Sequence, residues 1–337
     1  MQTVLITGGA GFIGSNFIPY FLERNPTFQV VNLDKLTYAA NTENLSEVID
    51  NERYIFVKGD ICERDLVTNL FEKYHFQSVI HFAAESHVDN SIKNPDEFIK
   101  TNIFGTFVLL DVAKNYWIEN ANQPKKGLEN ARFHHISTDE VYGTLGETGY
   151  FSEKTPYAPN SPYSASKASS DFLVRSYFHT YGMNVVTTNC SNNYGPKQHD
   201  EKLIPTIIRK AISGENIPIY GDGKNIRDWL FVLDHCSAIE LVFQKGKKGE
   251  TYTIGGDSEQ NNLNIAQKIC AILDVIIPKK NSYKEQITFV TDRLGHDFRY
   301  AIDASKIKRE LGWEATENFE TGIKNTIKWY LKKYNSL

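Results

Sequence analysis

The feature that most constrains the fold is a glycine-rich turn near the N-terminus, between a strand-like run and a helical one. Residues 4–14 read VLITGGAGFIG and place Gly8, Gly11 and Gly14 in a G-x-x-G-x-x-G pattern. Such a turn lets the backbone approach a pyrophosphate, which then lies at the N-terminus of the following helix. The same spacing also occurs in tight turns that bind nothing, so the surrounding sequence has to decide.

Short β-rich runs and helix-length segments alternate through the first part of the chain. This alternation predicts right-handed βαβ units and a parallel sheet covered on both faces. Together with the glycine turn, it predicts an α/β fold with a Rossmann-type doubly wound parallel sheet. The runs expected to form strands are 3–7, 29–33, 54–57, 78–82, 133–137 and 185–189.

Beyond Gly195 the rhythm gives way to mixed, turn-rich sequence. We expect an NAD-binding Rossmann domain over 1–190, which also carries the catalytic residues. A smaller mixed α/β C-terminal domain over 191–337 would mainly bind substrate, with some chain crossing back. The polar stretch 119–130 is expected to be a surface loop. Segment 98–117 is apolar almost all round, which implies a second helical surface besides the sheet, and another subunit would provide one.

Composition excludes several classes of protein. The 337 residues carry a formal charge of -4 with a pI near 6.2, which argues against a general nucleic-acid binder. Any anionic ligand must therefore meet local Lys or Arg. The four cysteines show no C-x-x-C spacing, which favours reduced thiols in the cytoplasm over disulfides or zinc. No export signal or run of 18 apolar residues is seen, so neither secretion nor membrane spanning is expected.

The second strand-like run favours the dinucleotide interpretation of the glycine turn. It ends in Asp34, about 20 residues after Gly14, where a carboxylate can accept from a ribose 2′-OH and repel a 2′-phosphate. This favours NAD over NADP, although Lys35 next to it weakens the discrimination. Asp60-Ile61 and Ala83-Ala84 follow the third and fourth runs, where adenine and phosphates would be lined.

A Y-x-x-x-K pair at Tyr163 and Lys167 predicts a catalytic base. Ser161-Pro162 supply an N-cap and a first-turn proline, so both side chains should share one helix face. A nearby ammonium would lower the pKa of the phenol. The small residues around the pair would let a flat nicotinamide approach.

The stretch STDEVYG at 137–143 places Thr138, Asp139 and Glu140 directly after a strand-like run. Open α/β sheets bind ligands at this carboxyl edge. A shared site requires the backbone to turn at Asp139 or Glu140, because Asp139 would otherwise face away from its neighbours. Two interpretations stay open from these residues alone: acids solvated at a strand end, or a working acid and base.

Five segments together resemble the dTDP-glucose 4,6-dehydratases of the extended short-chain dehydrogenase/reductase superfamily: HFAAESHVDNSI, HHISTDEVYG, SPYSASKASSD, NCSNNYGP and DRLGHDFRYAID. The resemblance runs from about residue 3 to the C-terminus. It implies a nucleotide-sugar lyase, a homodimer, and tightly held NAD that is used and regenerated in each turnover. Tyr163, assisted by Thr138, would take the proton of the glucose 4-OH. Glu140 would then remove the C5 proton while a neutral Asp139 protonates the departing C6 hydroxyl, and hydride would return to C6.

The resemblance also assigns binding residues. Those implied for the cofactor, with the three glycines, are Phe12, Ile13, Asp34, Lys35, Asp60, Ile61, Ala83, Ala84, Thr101, Tyr163, Lys167 and Asn193. Those implied for the substrate are Ser86, Thr138, Asn192, Lys202, Leu203, Tyr220, Arg227, Asn262, Arg293, His296 and Tyr330. Among them, Lys202, Arg227 and Arg293 would provide the local cations that a diphosphate needs.

No metal site is expected, because His134 and His135 are adjacent in a strand and point to opposite faces. The nearest alternative functions are a UDP-sugar 4-epimerase and a UDP-glucose 4,6-dehydratase. The acid pair argues against the epimerase, whereas thymidine and uridine are distinguished by the resemblance alone. An NAD-sensing scaffold would need neither the acid pair nor the Tyr/Lys pair.

Overall fold

The computed structural model describes residues 1–335 of the chain. The fourteen strands, in chain order, are β1 (Gln2–Thr7), β2 (Phe28–Asp34), β3 (Tyr54–Lys58), β4 (Ser78–His81), β5 (Ile118–Asn120), β6 (Gln123–Pro124), β7 (Arg132–Thr138), β8 (Val185–Cys190), β9 (Asn192–Tyr194), β10 (Ile217–Tyr220), β11 (Ile226–Phe231), β12 (Thr251–Ile254), β13 (Glu259–Asn261) and β14 (Ile287–Val290).

The helices cover the sheet and build the C-terminal part. They are α1 (Phe12–Arg24), α2 (Arg64–Tyr74), α3 (Val88–Lys93), α4 (Asp96–Phe98), α5 (Thr106–Trp117), α6 (Pro162–Tyr181), α7 (Leu203–Ile212), α8 (Val232–Lys245), α9 (Asn262–Ile276), α10 (Ser305–Leu311) and α11 (Phe319–Lys333). Among residues 1–335, no helix combines the length and apolar character needed to cross a membrane.

The central sheet confirms the predicted fold class. Seven strands, all parallel to their neighbours, lie in the order β12-β8-β7-β4-β1-β2-β3. Each of the six predicted runs forms one of these strands, whereas the seventh, β12, comes from the turn-rich region beyond residue 190. The chain order reverses between β1 and β4, and a crevice forms at the carboxyl ends of the strands at such a reversal.

The apolar segment 98–117 forms a π-helical stretch, Ile99–Gly105, followed by α5. Much of its second apolar surface is covered within this chain, because α5 packs against α2 and α6 as well as the sheet. Only the first part remains open to solvent, where Ile99 and Phe104 are 55% and 47% exposed. The apolar surface that this chain leaves uncovered is therefore confined to this part of the segment.

A separate core lies in the C-terminal part, where β10 and β11 pack with α7, α9 and α11. Two small sheets, β13-β11-β9 and β10-β14, support it. The expected surface loop at 119–130 carries a short antiparallel pair, β5 and β6. Bridges from Arg299 to Leu145 and from Ile302 to Phe151 link the C-terminal part to the loop that follows β7.

Candidate active site

One cavity at the carboxyl edge of the sheet gathers most of the predicted site. All the residues implied for the cofactor line it, together with the five proposed catalytic residues Thr138, Asp139, Glu140, Tyr163 and Lys167. Four residues implied for the substrate, Ser86, Thr138, Asn192 and Lys202, line it as well. Segments more than 100 residues apart in sequence therefore meet around a single space.

The glycine turn is tight for reasons that differ among its three glycines. Gly8 has a φ of +72°, and a Cβ there would lie 2.5 Å from the backbone nitrogen of Ala83. A Cβ on Gly14 would lie 2.5 Å from the carbonyl oxygen of Gly8, inside the turn itself. At Gly11 the nearest atom would be 3.3 Å away. Packing within the protein therefore requires glycine at positions 8 and 14 whether or not a ligand binds, whereas the protein constrains position 11 less, and all three glycines line the cavity.

The rest of the turn fits a dinucleotide. Helix α1 begins after Gly11 with no side chain capping its N-terminus, and the first backbone N–H groups of a helix have no partner within it. Phe12 and Ile13, the first two residues of this helix, line the cavity. Unpartnered N–H groups at the positive end of a helix attract phosphate. The residues present therefore fit the pyrophosphate of NAD.

Asp34 is held at the end of β2 by two backbone donors. Its carboxylate accepts from the N–H of Ala10 at 2.9 Å and of Leu36 at 2.8 Å. Burial nevertheless raises the pKa of Asp34 above its ordinary value. The neighbouring Lys35 turns away and pairs with Asp60 at 2.9 Å. Its ammonium is therefore paired with Asp60 and not with Asp34, although Lys35 still lines the cavity.

The backbone turns where a shared acid site requires it. Strand β7 ends at Thr138, and Asp139–Tyr142 form a 3₁₀ turn in which Thr138 Oγ1 accepts from the N–H of Glu140 at 3.3 Å. Asp139 is 1% exposed, and its Oδ2 has no hydrogen-bond partner among the described residues. A buried carboxyl oxygen without a donor favours the protonated acid.

The two acids differ in what surrounds them. Burial, and then the charges of Glu140 and Asp228, raise the pKa of Asp139 well above its ordinary value. Burial also raises the pKa of Glu140, but the charges of Arg227, Lys202 and Arg293 oppose that rise. Glu140 therefore has three cations and one opposing carboxylate, that of Asp297, near it, whereas Asp139 has two carboxylates and one cation, Arg227. This asymmetry agrees with a neutral Asp139 and a charged Glu140.

The Tyr/Lys pair lies on α6, whose first turn is closed by a capping box between Ser161 and Ser164. The Lys167 Nζ donates to the carbonyl oxygen of Ile136 at 2.9 Å. The expected lowering of the pKa of Tyr163 is wrong for the chain alone. Burial, and then the charge of Glu140, raise that pKa well above its ordinary value, and a hydrogen bond with Thr138 only partly opposes them. Lys167 is also weakened as a cation, because burial lowers its pKa to about 8.

The predicted cations come from three separate segments. Lys202 Nζ, just before α7, donates to the carbonyl oxygen of Ser86 at 3.0 Å. Arg293 pairs with Asp89 at 2.5 Å. Arg227 stacks on the ring of Tyr300, with 4.2 Å between its guanidinium carbon and the ring centroid. All three act electrostatically on Glu140, so the positive charge and the catalytic acids lie in one region.

The remaining substrate candidates lie outside the cavity lining. Leu203 begins α7, Asn262 begins α9, and Tyr220 ends β10. His296 lies on the 291–299 loop and contacts Asp292 at 2.7 Å. Tyr330 is placed differently from what the resemblance implies, because its ring is fully buried in the C-terminal core. Its hydroxyl donates to the carbonyl oxygen of Gln198. Gln198 lines the cavity, whereas Tyr330 does not.

Sequence reasoning missed several cavity residues. Gln198, His199 and Glu201 line the cavity, and they follow β9, a strand of the small β13-β11-β9 sheet. The carboxyl-edge rule applied to the central sheet did not reach them. No sequence signal pointed to His235, which contacts Asn193 Oδ1 at 2.8 Å from α8. Within residues 1–335, no group of three or more His, Cys, Asp or Glu side chains is arranged to hold a metal ion.

Comparison with known proteins agrees with this geometry. Residues 5–326 match the family model described as GDP-mannose 4,6 dehydratase. The chain is 57% identical over 333 residues to a dTDP-glucose 4,6-dehydratase of Xanthomonas campestris pv. campestris strain B100, with 98% of this chain and 93% of the relative covered.

Solved structures are also similar to this chain over nearly its whole length. A dTDP-glucose 4,6-dehydratase from Bacillus anthracis, in complex with NAD, matches with a TM-score of 0.87 and 44% identity over 99% of this chain and 98% of that one. A UDP-glucose 4-epimerase from Thermotoga maritima, with UDP-glucose, matches with a TM-score of 0.85 but only 26% identity, over 99% and 100% of the two chains.

Proposed function

The chain belongs to the family of dTDP-glucose 4,6-dehydratases, and we therefore propose that it removes water from dTDP-α-D-glucose to give dTDP-4-dehydro-6-deoxy-α-D-glucose. The observation that carries this proposal is the meeting of Asp139, Glu140 and Tyr163 around one cavity. An NAD-dependent hydro-lyase needs all three. An epimerase or a simple alcohol dehydrogenase has no use for the acid pair.

NAD is the cofactor, and the proposed set that holds it consists of the glycine turn, the N-terminus of α1 and the carboxylate of Asp34. When bound, NAD would supply reversible hydride transfer at the sugar. Lys35 and Asp60, paired across the ends of β2 and β3, would close the adenosine side. Asn193, fixed by His235, would close the nicotinamide side.

Tyr163 acts as the base for the 4-hydroxyl, with Thr138 sharing the proton. Because burial and Glu140 raise the pKa of the phenol, Tyr163 must first lose its own proton before it can accept that of the 4-hydroxyl, and nearby positive charge favours that loss. Lys167, whose pKa of about 8 keeps most of it charged at neutral pH, supplies part of that charge. A positively charged group of a bound ligand, placed next to the phenol, would also lower the pKa of Tyr163.

The acid pair then removes water. Once C4 is a ketone, the C5 proton becomes acidic, and the charged Glu140 removes it. The neutral Asp139 protonates the C6 hydroxyl as it leaves. The two groups suit these opposite roles because the cations oppose protonation of Glu140 but two carboxylates and burial favour protonation of Asp139.

The substrate diphosphate would be bound by Lys202, Arg227 and Arg293. Each is partly satisfied within the protein: Lys202 by Ser86, Arg293 by Asp89, and Arg227 by backbone carbonyls including that of Asp297. Charge-assisted hydrogen bonds to a diphosphate would compete with these internal contacts. We propose accordingly that residues 1–190 mainly hold NAD and the catalytic groups, and that residues 191–337 mainly hold the nucleotide sugar.

The test is incubation with dTDP-glucose and with UDP-glucose in deuterated water. The proposal expects a product lighter than its substrate by one water, with deuterium at C5, and faster turnover of the thymidine nucleotide. Equal or faster turnover of UDP-glucose would favour a UDP-glucose 4,6-dehydratase. A product of unchanged mass with inverted configuration at C4 would favour a UDP-sugar 4-epimerase.

We also propose a homodimer. Its support is the apolar surface formed by Ile99, Phe104 and Phe172, where Phe172 on α6 is 57% exposed and α6 packs against the π-helical stretch. Sedimentation of the protein at micromolar concentration should give a dimer. Phe104→Glu should convert it to a monomer, whereas Val275→Glu, at an 81% exposed position on α9, should not. A wild-type monomer would remove this proposal.

A cytoplasmic location is proposed from the cysteines. All four are free thiols, at Cys62, Cys190, Cys236 and Cys270, as expected in a reducing compartment. Fractionation of cells that produce the protein, followed by detection in the cytoplasmic fraction, tests this proposal. Recovery from the periplasm or the medium would contradict it.

A further inference from the structure

A buried carboxylate lies one helical turn beyond Lys167 and has no role in the reaction as described so far. Asp171 is 4% exposed. Its Oδ2 accepts three hydrogen bonds from three different segments: from Ser137 Oγ at 3.0 Å, Tyr157 OH at 2.8 Å and Asn189 Nδ2 at 3.1 Å. A carboxylate with this many donors is held in its charged form.

The same network reaches three successive residues of β7. The Lys167 Nζ binds the carbonyl oxygen of Ile136 at 2.9 Å. Asp171 binds the side chain of Ser137. Asn189, which donates to Asp171, also donates to the carbonyl oxygen of Thr138 at 3.0 Å. The strand end that leads into the acid pair is therefore held by this one turn of α6, partly through Asn189.

Asp171 also carries a charge close to Lys167: the two buried side chains lie one turn apart on α6, with no direct hydrogen bond or ion pair between them among the described residues. Burial lowers the pKa of Lys167 to about 8, and Asp171 is the foremost group opposing that change. Burial would raise the pKa of Asp171, but His135, whose Nε2 lies 3.2 Å from Asp171 Oδ1, and then Lys167 and Ser137 lower it. The other titratable groups that face the two residues are neutral at pH 7, because burial lowers the pKa of the histidines and raises that of the phenols and the thiol: His81, His135, Tyr142, Tyr157, Tyr163 and Cys190.

We propose that Asp171 is a positioning residue of the reaction, which acts as the buried counter-ion of Lys167 and, with Asn189, fixes the strand end that carries Thr138 and the acid pair. Its effect on catalysis rests on the proposed function, but the pairing with Lys167 does not. Without the carboxylate, Lys167 would lose its proton at lower pH, and the resulting amine would no longer support Tyr163. The strand end would also lose one of its anchors.

The pairing is tested without any ligand by a double-mutant cycle of melting temperatures. Asp171→Asn, Lys167→Met and the double variant are compared with the wild type at about pH 6.5 and about pH 9.5, below and above the pKa of about 8 of Lys167. At the lower pH, Asp171→Asn should lower the melting temperature by about 2–4 °C more in the wild-type background than in the Lys167→Met background. At the higher pH, where Lys167 is neutral, this difference should vanish. A difference of zero at both pH values would overturn the pairing.

The effect on catalysis is tested in the Glu140→Gln background, where reduced cofactor should accumulate and report the oxidation step alone. Asp171→Asn should move the alkaline limb of its pH profile to lower pH by about one unit, which corresponds to about a tenfold change in the proton affinity of Lys167. Tyr157→Phe removes one donor but keeps the carboxylate, so it should leave the limb in place. If the alkaline limb stays at the same pH in both Asp171→Asn and Tyr157→Phe, the proposal is overturned, even if both variants have lower melting temperatures.

Two controls keep the outcomes separate. Asp171→Glu retains the charge, so the alkaline limb of its pH profile should stay at the wild-type position. Asp171→Ser, which leaves room for water, replaces Asp171→Asn if the latter does not fold. If Glu140→Gln itself produces no reduced cofactor with dTDP-glucose, the proposed function fails, while the ligand-free cycle still decides whether Asp171 and Lys167 are paired.

Discussion

The two ends of the cavity are built in different ways. At the cofactor end, Gly11, Asp34 and Asp60 each lie within a few residues of the end of a strand, and backbone N–H groups do much of the work. At the acid end, Glu140 is surrounded by Lys202, Arg227 and Arg293, which lie 62 or more residues further along the chain. The first end follows from local sequence and sheet topology, whereas the second exists only after the C-terminal part has folded against the sheet.

The electrostatics differ in the same way. At the cofactor end, opposite charges are paired directly, as in Lys35 and Asp60. At the acid end, burial and like charge leave Asp139 and Tyr163 with strongly raised pKa values. Substitutions of the acids and of Tyr163 should therefore affect chemistry, and those at the cofactor end should affect binding or stability.

The largest expected effect is that of Glu140→Gln. Loss of the base should lower turnover about 10³-fold, while reduced cofactor accumulates because oxidation at C4 still proceeds. Product formation and the near-ultraviolet absorbance of the reduced nicotinamide measure the two steps separately. The matched control, Tyr163→Phe, should stop turnover without reduced cofactor. Near-normal turnover of Glu140→Gln would contradict the assignment.

Arg293→Met should raise the KM for dTDP-glucose about 10- to 100-fold, since a hydrogen bond to a charged group contributes about 1.5–3 kcal/mol. It also removes one of three cations that oppose protonation of Glu140, so the acidic limb of the pH profile should move to higher pH. Steady-state kinetics across pH measure both effects. Arg309→Met, at an exposed residue of α10, should change neither, and an equal effect there would refute a local role for Arg293.

Within the cofactor end, Gly14→Ala and Gly11→Ala should differ in kind. The new Cβ at residue 14 would overlap the carbonyl oxygen of Gly8, and such overpacking costs about 1–3 kcal/mol of unfolding free energy. The Cβ at residue 11 would lie 3.3 Å from the carbonyl oxygen of Gly8, a tight contact but a milder one, so the loss of stability should be smaller while NAD affinity falls. Denaturant unfolding and NAD titration of both variants measure this. Equal loss of stability in both would show that Gly11 is also a packing residue.

The smallest effect expected is that of Asp34→Asn. Removing the charge should relax the preference for NAD over NADP about tenfold, or about 1.4 kcal/mol, because a 2′-phosphate is no longer repelled. Dissociation constants for both dinucleotides measure it. Asp65→Asn, at an exposed position at the start of α2, is the control and should leave the ratio unchanged. An unchanged ratio in Asp34→Asn would mean that Lys35 or the shape of the site sets the preference.

Several sequence predictions depended only on local order and were accurate. The six strand runs, the capped start of α6 at Pro162 and the turn at Asp139 follow from periodicity, capping residues and spacing. What the sequence did not predict concerned partners distant in sequence. The pKa of Tyr163 depends on burial and on Glu140, and Gly8 is required by Ala83, a residue of another βα unit.

The packing of segment 98–117 was predicted only in part, because its partners are also distant in sequence. Its apolar circumference correctly indicated a second surface, but α2 and α6 of this chain provide much of it. Asp171 gave no signal, because an Asp four residues after a Lys on a helix usually makes an ordinary surface pair. Only the fold shows that Ser137, Tyr157 and Asn189 enclose it.

The linear chain therefore decided the sheet, the cofactor end and the identity of the reactive side chains, because strand ends and helix caps are set by neighbours in sequence. The tertiary structure decided the burial of Asp139 and Glu140, the charges around them and the surroundings of Lys167. The physical reason is that desolvation and charge depend on which atoms surround a group in space, and those atoms come from segments far apart in the chain.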